Sequence, residues 1–322
     1  MHYYRVIPAR KLPQTYLIYY FLEKLEIGQL VEINIRGGVV WALVVEIYAL
    51  DKDNFGFDKE KIKPITKSLP YRFSKSQINF LYSFSQNTFN SLNLSLLGFL
   101  QSFKLLTQKQ WKELENTPLI DHSEENISTL EGKVDFLLEN NISLRIIYII
   151  RSIISKQPTK PLLITFPEKK YLEKIYQEID LNPEFKDIKG DLDIYFFTGE
   201  VNQKNKATIW NLLETDSKQK VIFSTRSGVF LPLFNLGNII LVDEANSFYI
   251  QDQNSLYFDT RDTVFLLSKA TGANLTFLSS LPSVRLYNFY SETVLSQFMN
   301  NQQQINTKRL NIQISDKFLD FD

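Results

Sequence analysis

The stretch Asn235-Leu236-Gly237-Asn238-Ile239-Ile240-Leu241-Val242-Asp243-Glu244 decides how this chain is read. Five residues, four of them aliphatic, between a glycine and two carboxylates form a short strand that is buried on both faces, as in a parallel sheet. Asp243 and Glu244 then fall at the carboxyl edge, where α/β proteins gather their ligands and where phosphate-transferring ones hold Mg²⁺. Upstream stands Ser224-Thr225-Arg226-Ser227-Gly228-Val229-Phe230-Leu231-Pro232, and downstream Ser247-Phe248-Tyr249, Gln251, Tyr257 and Arg261-Asp262. Around this centre the pattern alternates. Helices are expected over 142–156, 168–179, 202–214 and 261–271, and strands over 161–166, 193–197, 220–223, 238–242 and 274–278. Such alternation predicts a parallel sheet covered by helices.

The first hundred residues have another rhythm. Strands are expected over 3–8, 30–35, 39–48 and 61–66, with Gly37-Gly38 as a two-residue hairpin signal because adjacent glycines accept positive φ. Ser74 should cap a helix running to residue 86, and a second helix is expected over 92–103. This is an α+β module. The polar, acidic stretch 107–133, broken by Pro118, marks the boundary, so the expected units are 1–104, a linker at 105–133, and an α/β lobe at 134–322. Only the Gln/Asn patch at 300–304 is compositionally biased.

Composition narrows the chemistry. With 44% hydrophobic and 22% charged residues the chain can bury a sizeable core and is not a disordered polymer. Zero cysteine excludes disulfides, thiolate nucleophiles and thiolate zinc sites. The two histidines, His2 and His122, are poorly placed for acid–base work. No apolar run approaches the roughly 18 residues of a membrane span, and no apolar leader follows Met1, so a cytoplasmic protein without membrane partners is expected. The 36 basic and 36 acidic residues cancel, but residues 1–104 carry 13 Lys/Arg against 8 Asp/Glu. A basic N-terminal module fits a polyanion contact on that module alone. Trp41 and Trp210 read as core residues.

The order and spacing of residues 224–262 resemble the first helicase lobe of the primosomal protein N′ (PriA) family of replication-restart helicases. That family carries a Gly-Thr-Arg-Ser-Ala segment, an Asn-Leu-Gly strand, an Asp-Glu-Glu-His box and a Tyr-His-Ala-Arg-Asp stretch. Pro167-Glu168, and Phe197-Thr198-Gly199 leading to Trp210, look like its upstream motifs. Leu12-Pro13-Gln14-Thr15-Tyr16, Gly37-Gly38, Val44-Val45-Glu46 and Ile62-Lys63-Pro64-Ile65 are similar to the family's 3′-end DNA-binding domain, whose closing helices resemble residues 82–103. The resemblance implies an α+β DNA-binding module followed by a RecA-like helicase lobe. It further implies a pocket for a terminal nucleotide in which Tyr16 matches the stacking aromatic, Gly37 or Gly38 the glycine turn, and Lys63 the lysine. The family's aspartate position is Leu17. Lys59, Lys61, Lys63 and Lys67 offer generic phosphate contact.

Three departures shape the expected function. A phosphate loop needs glycines so that backbone N–H groups can close on the anion, and a Lys-Ser/Thr pair for charge and Mg²⁺. Here Phe136-Leu137-Leu138 runs into Glu139-Asn140-Asn141-Ile142-Ser143-Leu144-Arg145, with no glycine and no lysine. The acidic box reads Asp243-Glu244-Ala245-Asn246, and the family's Gly-Ser-Ala-Thr-Pro motif reads Leu278-Ser279-Ser280-Leu281-Pro282. The chain ends about where the family's second lobe begins, so that lobe, its arginine finger and its cysteine-rich zinc insertion are not expected, nor is the winged helix after residue 104. The expectation is a PriA-like DNA-binding protein of replication restart that meets forked or single-stranded DNA, 3′ ends, and primosome or single-strand-binding proteins. Asp243 and Glu244 would be a remnant acidic box; Tyr16, Gly37, Gly38, Lys61 and Lys63 would touch DNA; and no metal, zinc or other cofactor is expected. Two alternatives stand: one half of a split ATP-dependent 3′–5′ DNA helicase, which would need ATP and Mg²⁺, and a non-catalytic interaction scaffold.

Overall fold

The computed structural model describes residues 1–48, 61–101, 132–156, 160–198, 218–231, 233, 236–252, 256–281 and 283–285. Lys59, the helix expected over 202–214 with Trp210, nearly all of the linker, and the 300–304 patch lie outside them.

Five strands, β1 (His2–Pro8), β2 (Leu17–Phe21), β3 (Gln29–Ile35), β4 (Gly38–Tyr48) and β5 (Lys63–Arg72), form a closed barrel in the order β1-β2-β5-β3-β4. All neighbours are antiparallel except β2 and β5. Tyr4, Val6, Tyr19, Val31, Ile33, Ala42, Val44 and Ile65 fill its interior. Closure leaves no free sheet edge. The β3–β4 hairpin turns on Arg36 and Gly37, with φ of 52° and 81°, while Gly38 is already paired with Ile35. The expected Gly37-Gly38 turn is thus displaced by one residue. Asn34 causes the shift: its side-chain oxygen accepts from the Gly37 N–H at 3.0 Å, which holds the turn one step earlier.

Helix α1 (Lys75–Thr88) opens with a reciprocal capping box between Ser74 and Gln77. Helix α2 (Leu92–Phe99) is capped by Ser91. The second unit is a six-stranded, wholly parallel sheet in the order β6-β13-β10-β7-β9-β8. Its strands are β6 (Val134–Leu138), β7 (Leu162–Thr165), β8 (Leu192–Phe197), β9 (Gln219–Ser224), β10 (Asn238–Val242) and β13 (Asn274–Ser279); a small ribbon pairs β11 (Ile250–Gln251) with β12 (Phe258–Asp259). This is the α/β, RecA-like lobe after an α+β module that the motifs implied.

Period-two alternation sends neighbouring residues of each strand to opposite faces. Leu162, Ile164, Val221, Phe223, Ile240 and Val242 meet helices α3 (Ile142–Lys156), α4 (Lys169–Leu181) and α5 (Pro183–Lys189). Leu163, Ile222, Ile239, Leu241, Leu275 and Phe277 belong to the other face, which is covered by a 3-10 turn (Arg226–Phe230) and helix α6 (Thr260–Thr271). The α1–α2 pair joins that second layer. Phe84 meets Phe230 at 5.2 Å and Phe258 at 6.0 Å between ring centroids, and Phe99 meets Phe230 at 5.2 Å. One continuous core therefore runs from the barrel's Ile7, Leu30 and Leu43 through these aromatics into the parallel sheet. No helix among the described residues is long and apolar enough to cross a membrane.

Candidate functional site

The carboxyl edge of the parallel sheet gathers Glu139 after β6, Phe166 after β7, Thr225 after β9, Asp243 after β10 and the segment following β13. The connection from β6 to α3 is only Glu139, Asn140 and Asn141. The Glu139 N–H donates to Ser279 O at 2.9 Å, prolonging the β6–β13 ladder by one residue. Asn141 caps α3, its side-chain oxygen accepting from Leu144 N at 3.0 Å. Arg145 reaches back one turn, and its Nη2 lies 3.0 Å from Glu139 Oε2, each side chain about one-third exposed. A carboxylate thus stands at the helix's positive end, where the macrodipole favours it, and brings its own counter-cation. Ser143 is buried and donates its hydroxyl to Glu178 of α4.

Asp243 takes a left-handed backbone, φ 55°, in which its N–H donates to Leu278 O at 2.7 Å and its carbonyl accepts from Asn246 N at 3.1 Å. A non-glycine residue in this region carries strain that the surrounding bonds must offset. Glu244 is 1% exposed. Its N–H donates to Ser279 Oγ at 3.0 Å, and its Oε1 accepts from Ser283 N at 2.6 Å. Burial raises its carboxyl above the ordinary glutamate range, with the Ser283 bonds and the Arg261 charge opposing the rise. Its carbonyl accepts from Arg261 Nη1 at 3.3 Å, while the rest of that guanidinium grips Asp259 through Nε and Nη2. The second acid of the box is therefore a brace between β10 and the chain after β13. Tyr249 fills the floor of the same edge: its buried hydroxyl reaches Thr165 O at 2.9 Å and Val242 O, bridging the ends of β7 and β10. Burial holds that hydroxyl protonated far above neutrality.

The barrel carries the other cluster. Tyr16, 39% exposed, lies just before β2. The Arg5 guanidinium sits 5.6 Å from its ring centroid and 5.4 Å from that of Tyr48, and pairs with Glu46 at 2.7 Å. Tyr82 of α1 shares a hydrogen bond with Tyr16, and burial first, then that bond, raise its hydroxyl's pKa. Register brings three expected site residues toward one end of the barrel. Chain direction puts Tyr16 before β2, Lys63 at the start of the parallel neighbour β5, and the Arg36-Gly37 turn at the end of β3. Gly38 lies behind the turn in β4, and Lys61 two residues before β5. The direct partners of Tyr16 are Arg5 and Tyr82, which the sequence patterns had not marked. The three stretches building this end, 8–21, 33–43 and 61–72, contain no Asp or Glu. Their Arg10, Lys11, Arg36, Lys61, Lys63 and Lys67 are all exposed.

No protein-family model matches the chain. Among curated proteins, the replication restart protein PriA of Rickettsia prowazekii is 28% identical over 304 residues, 88% of this chain and 43% of that protein. PriA of Rickettsia conorii is 27% identical over 298 residues, 87% of this chain and 42% of that protein. PriA of Helicobacter pylori strain J99 is 30% identical over a shorter stretch, 138 residues and 41% of this chain. The chain spans less than half the length of each of these relatives, and what it is similar to is that part of PriA.

Proposed function

We propose that this chain is a DNA-binding protein of replication restart, meeting forked or single-stranded DNA through the basic end of its barrel, and that its parallel-sheet lobe works without turning over ATP. The relatives' name supports the restart role. The exposed Arg10, Lys11, Arg36 and Lys63, on three stretches of the barrel end that carry no Asp or Glu, support the polyanion contact. One observation carries the second half of the reading. The Glu139–Arg145 pair closes the three-residue β6–α3 connection, at the place where a phosphate loop would open.

The residues there do not fit a triphosphate and its Mg²⁺. Glu139 repels the anion, no glycine permits close backbone approach, Ser143 is committed to Glu178, and Glu244 to Ser283. The lobe then acts as a rigid partner to the barrel through the shared aromatic core, and offers surface to primosome or single-strand-binding proteins. The reading is tested by titrating purified chain into labelled forked DNA with a free 3′ end at low salt, alongside a phosphate-release assay. Retarded DNA without DNA-stimulated hydrolysis is expected. DNA-stimulated hydrolysis refutes the ATP half, and failure to bind any DNA form refutes the DNA half.

A further inference from the structure

Outside the barrel, between the β3–β4 hairpin, the chain after β1 and the end of α2, lies a cavity of about 330 Å³ lined by Ala9, Arg10, Val39, Val40, Trp41 and Leu100. That volume is at the lower end of small-molecule pockets, enough for one flat ring system with its attachment. Five of the six lining residues are apolar. Trp41 is half-buried, its body packed on the shared core, so its ring orientation is fixed by neighbours. Arg10 is the only charged residue of the wall. Its Nη1 approaches to 3.7 Å of the point where a Cβ on Gly38 would stand, so the guanidinium lies along the hairpin next to the turn. It carries no ion pair among the described residues, and neither do Lys11, Arg36 or Lys63.

An aromatic wall with one cation at its side is complementary to a base with its phosphate. Further exposed cations at the same end of the barrel, Lys11, Arg36 and Lys63, are complementary to a chain of phosphates, not to a single carboxylate. A duplex keeps its bases stacked and paired, whereas a single strand can lend one at little cost. We propose that this cavity receives one base of a single DNA strand, stacked on Trp41, with the adjoining phosphate on Arg10 and the strand continuing across Arg36 and Lys63. The proposal rests on the DNA-binding reading above and assigns it a second base site, separate from the Arg5–Tyr16–Tyr48 cluster.

The test uses the intact chain and a fluorescent oligothymidylate carrying one 5-iodouracil, with photocrosslinks mapped by peptide mass spectrometry and affinities taken from anisotropy. The expected crosslink is on Trp41. Arg10→Ala lowers its yield and the affinity several-fold. Val39→Trp, at an exposed position on the cavity mouth, lowers affinity roughly 5- to 150-fold, the range commanded by one stacked base. Because neither residue is buried, both variants should keep the wild-type far-ultraviolet circular dichroism spectrum. Undiminished affinity in both variants with crosslinks elsewhere overturns the cavity site and leaves the DNA-binding reading standing. An unmodified chain that binds no oligonucleotide at low salt overturns both.

Discussion

Replacing Arg36 and Lys63 together by glutamine should halve the salt sensitivity of DNA binding. Four exposed cations without ion pairs among the described residues, Arg10, Lys11, Arg36 and Lys63, define the contact. For single strands each neutralised phosphate contributes about 0.7 to the slope of log affinity against log salt, so four predict a slope near −2.8. Raising salt from about 50 to about 200 mM then weakens binding roughly 50-fold. The double substitution leaves two contacts, a slope near −1.4 and a loss of only about 7-fold over the same range. Fluorescence anisotropy on a labelled oligothymidylate across that salt range reads both slopes. Lys170→Gln, on α4 of the lobe, is the control and should leave the slope unchanged. If the double variant keeps the wild-type slope, or if Lys170→Gln lowers it as much, the barrel end is not the electrostatic footprint.

Two further outcomes follow from the packing and the buried acid. Phe84 is fully buried and touches Phe80, Phe99, Phe230 and Phe258, so Phe84→Ala should cost roughly 3–5 kcal/mol. Because the core is shared, fluorescence and circular dichroism should report one coincident urea transition in both proteins; separate transitions for barrel and lobe would contradict a common core. Glu244 holds its proton to higher pH when folded than when unfolded, because burial disfavours the carboxylate. Its contribution is thus most favourable below the unfolded value near 4.3 and is lost as pH rises through the higher folded value. Glu244→Gln keeps an acceptor for Ser283 and escapes that loss, so it should gain on the wild type as pH rises above the unfolded carboxyl's value near 4.3. Stability curves that stay parallel as pH rises from there would show that the carboxyl is not desolvated.

Much of the lobe was legible because a buried parallel strand must be a short aliphatic run, and Leu162–Thr165 and Asn238–Val242 are such runs. β2 was missed because Leu17-Ile18-Tyr19-Tyr20-Phe21 does not alternate, and it is barrel closure that makes it a strand. The hairpin slipped by one residue since the Asn34 side chain, not glycine content, sets the turn. In the candidate site, the lack of glycine after β6 could be read directly, but the Glu139–Arg145 pair needed helix geometry: six residues apart in sequence, they meet only because the chain turns at Asn141. Glu244 read as half of an acidic box, and nothing local announced the Ser283 amide that it accepts from across the sheet edge. Arg5 and Tyr82 come to Tyr16 from two different elements, and Tyr48 from a third meets the same Arg5 guanidinium, contacts set by barrel register and helix docking.

Whether the β6–α3 connection excludes a triphosphate is read by calorimetric titration of the intact chain with a non-hydrolysable ATP analogue and Mg²⁺. The predicted result is no saturable heat up to about 1 mM ligand, a ceiling of roughly 4 kcal/mol on any affinity, with or without DNA present. One-to-one binding in the micromolar range, lost on Asp243→Asn substitution, would contradict it.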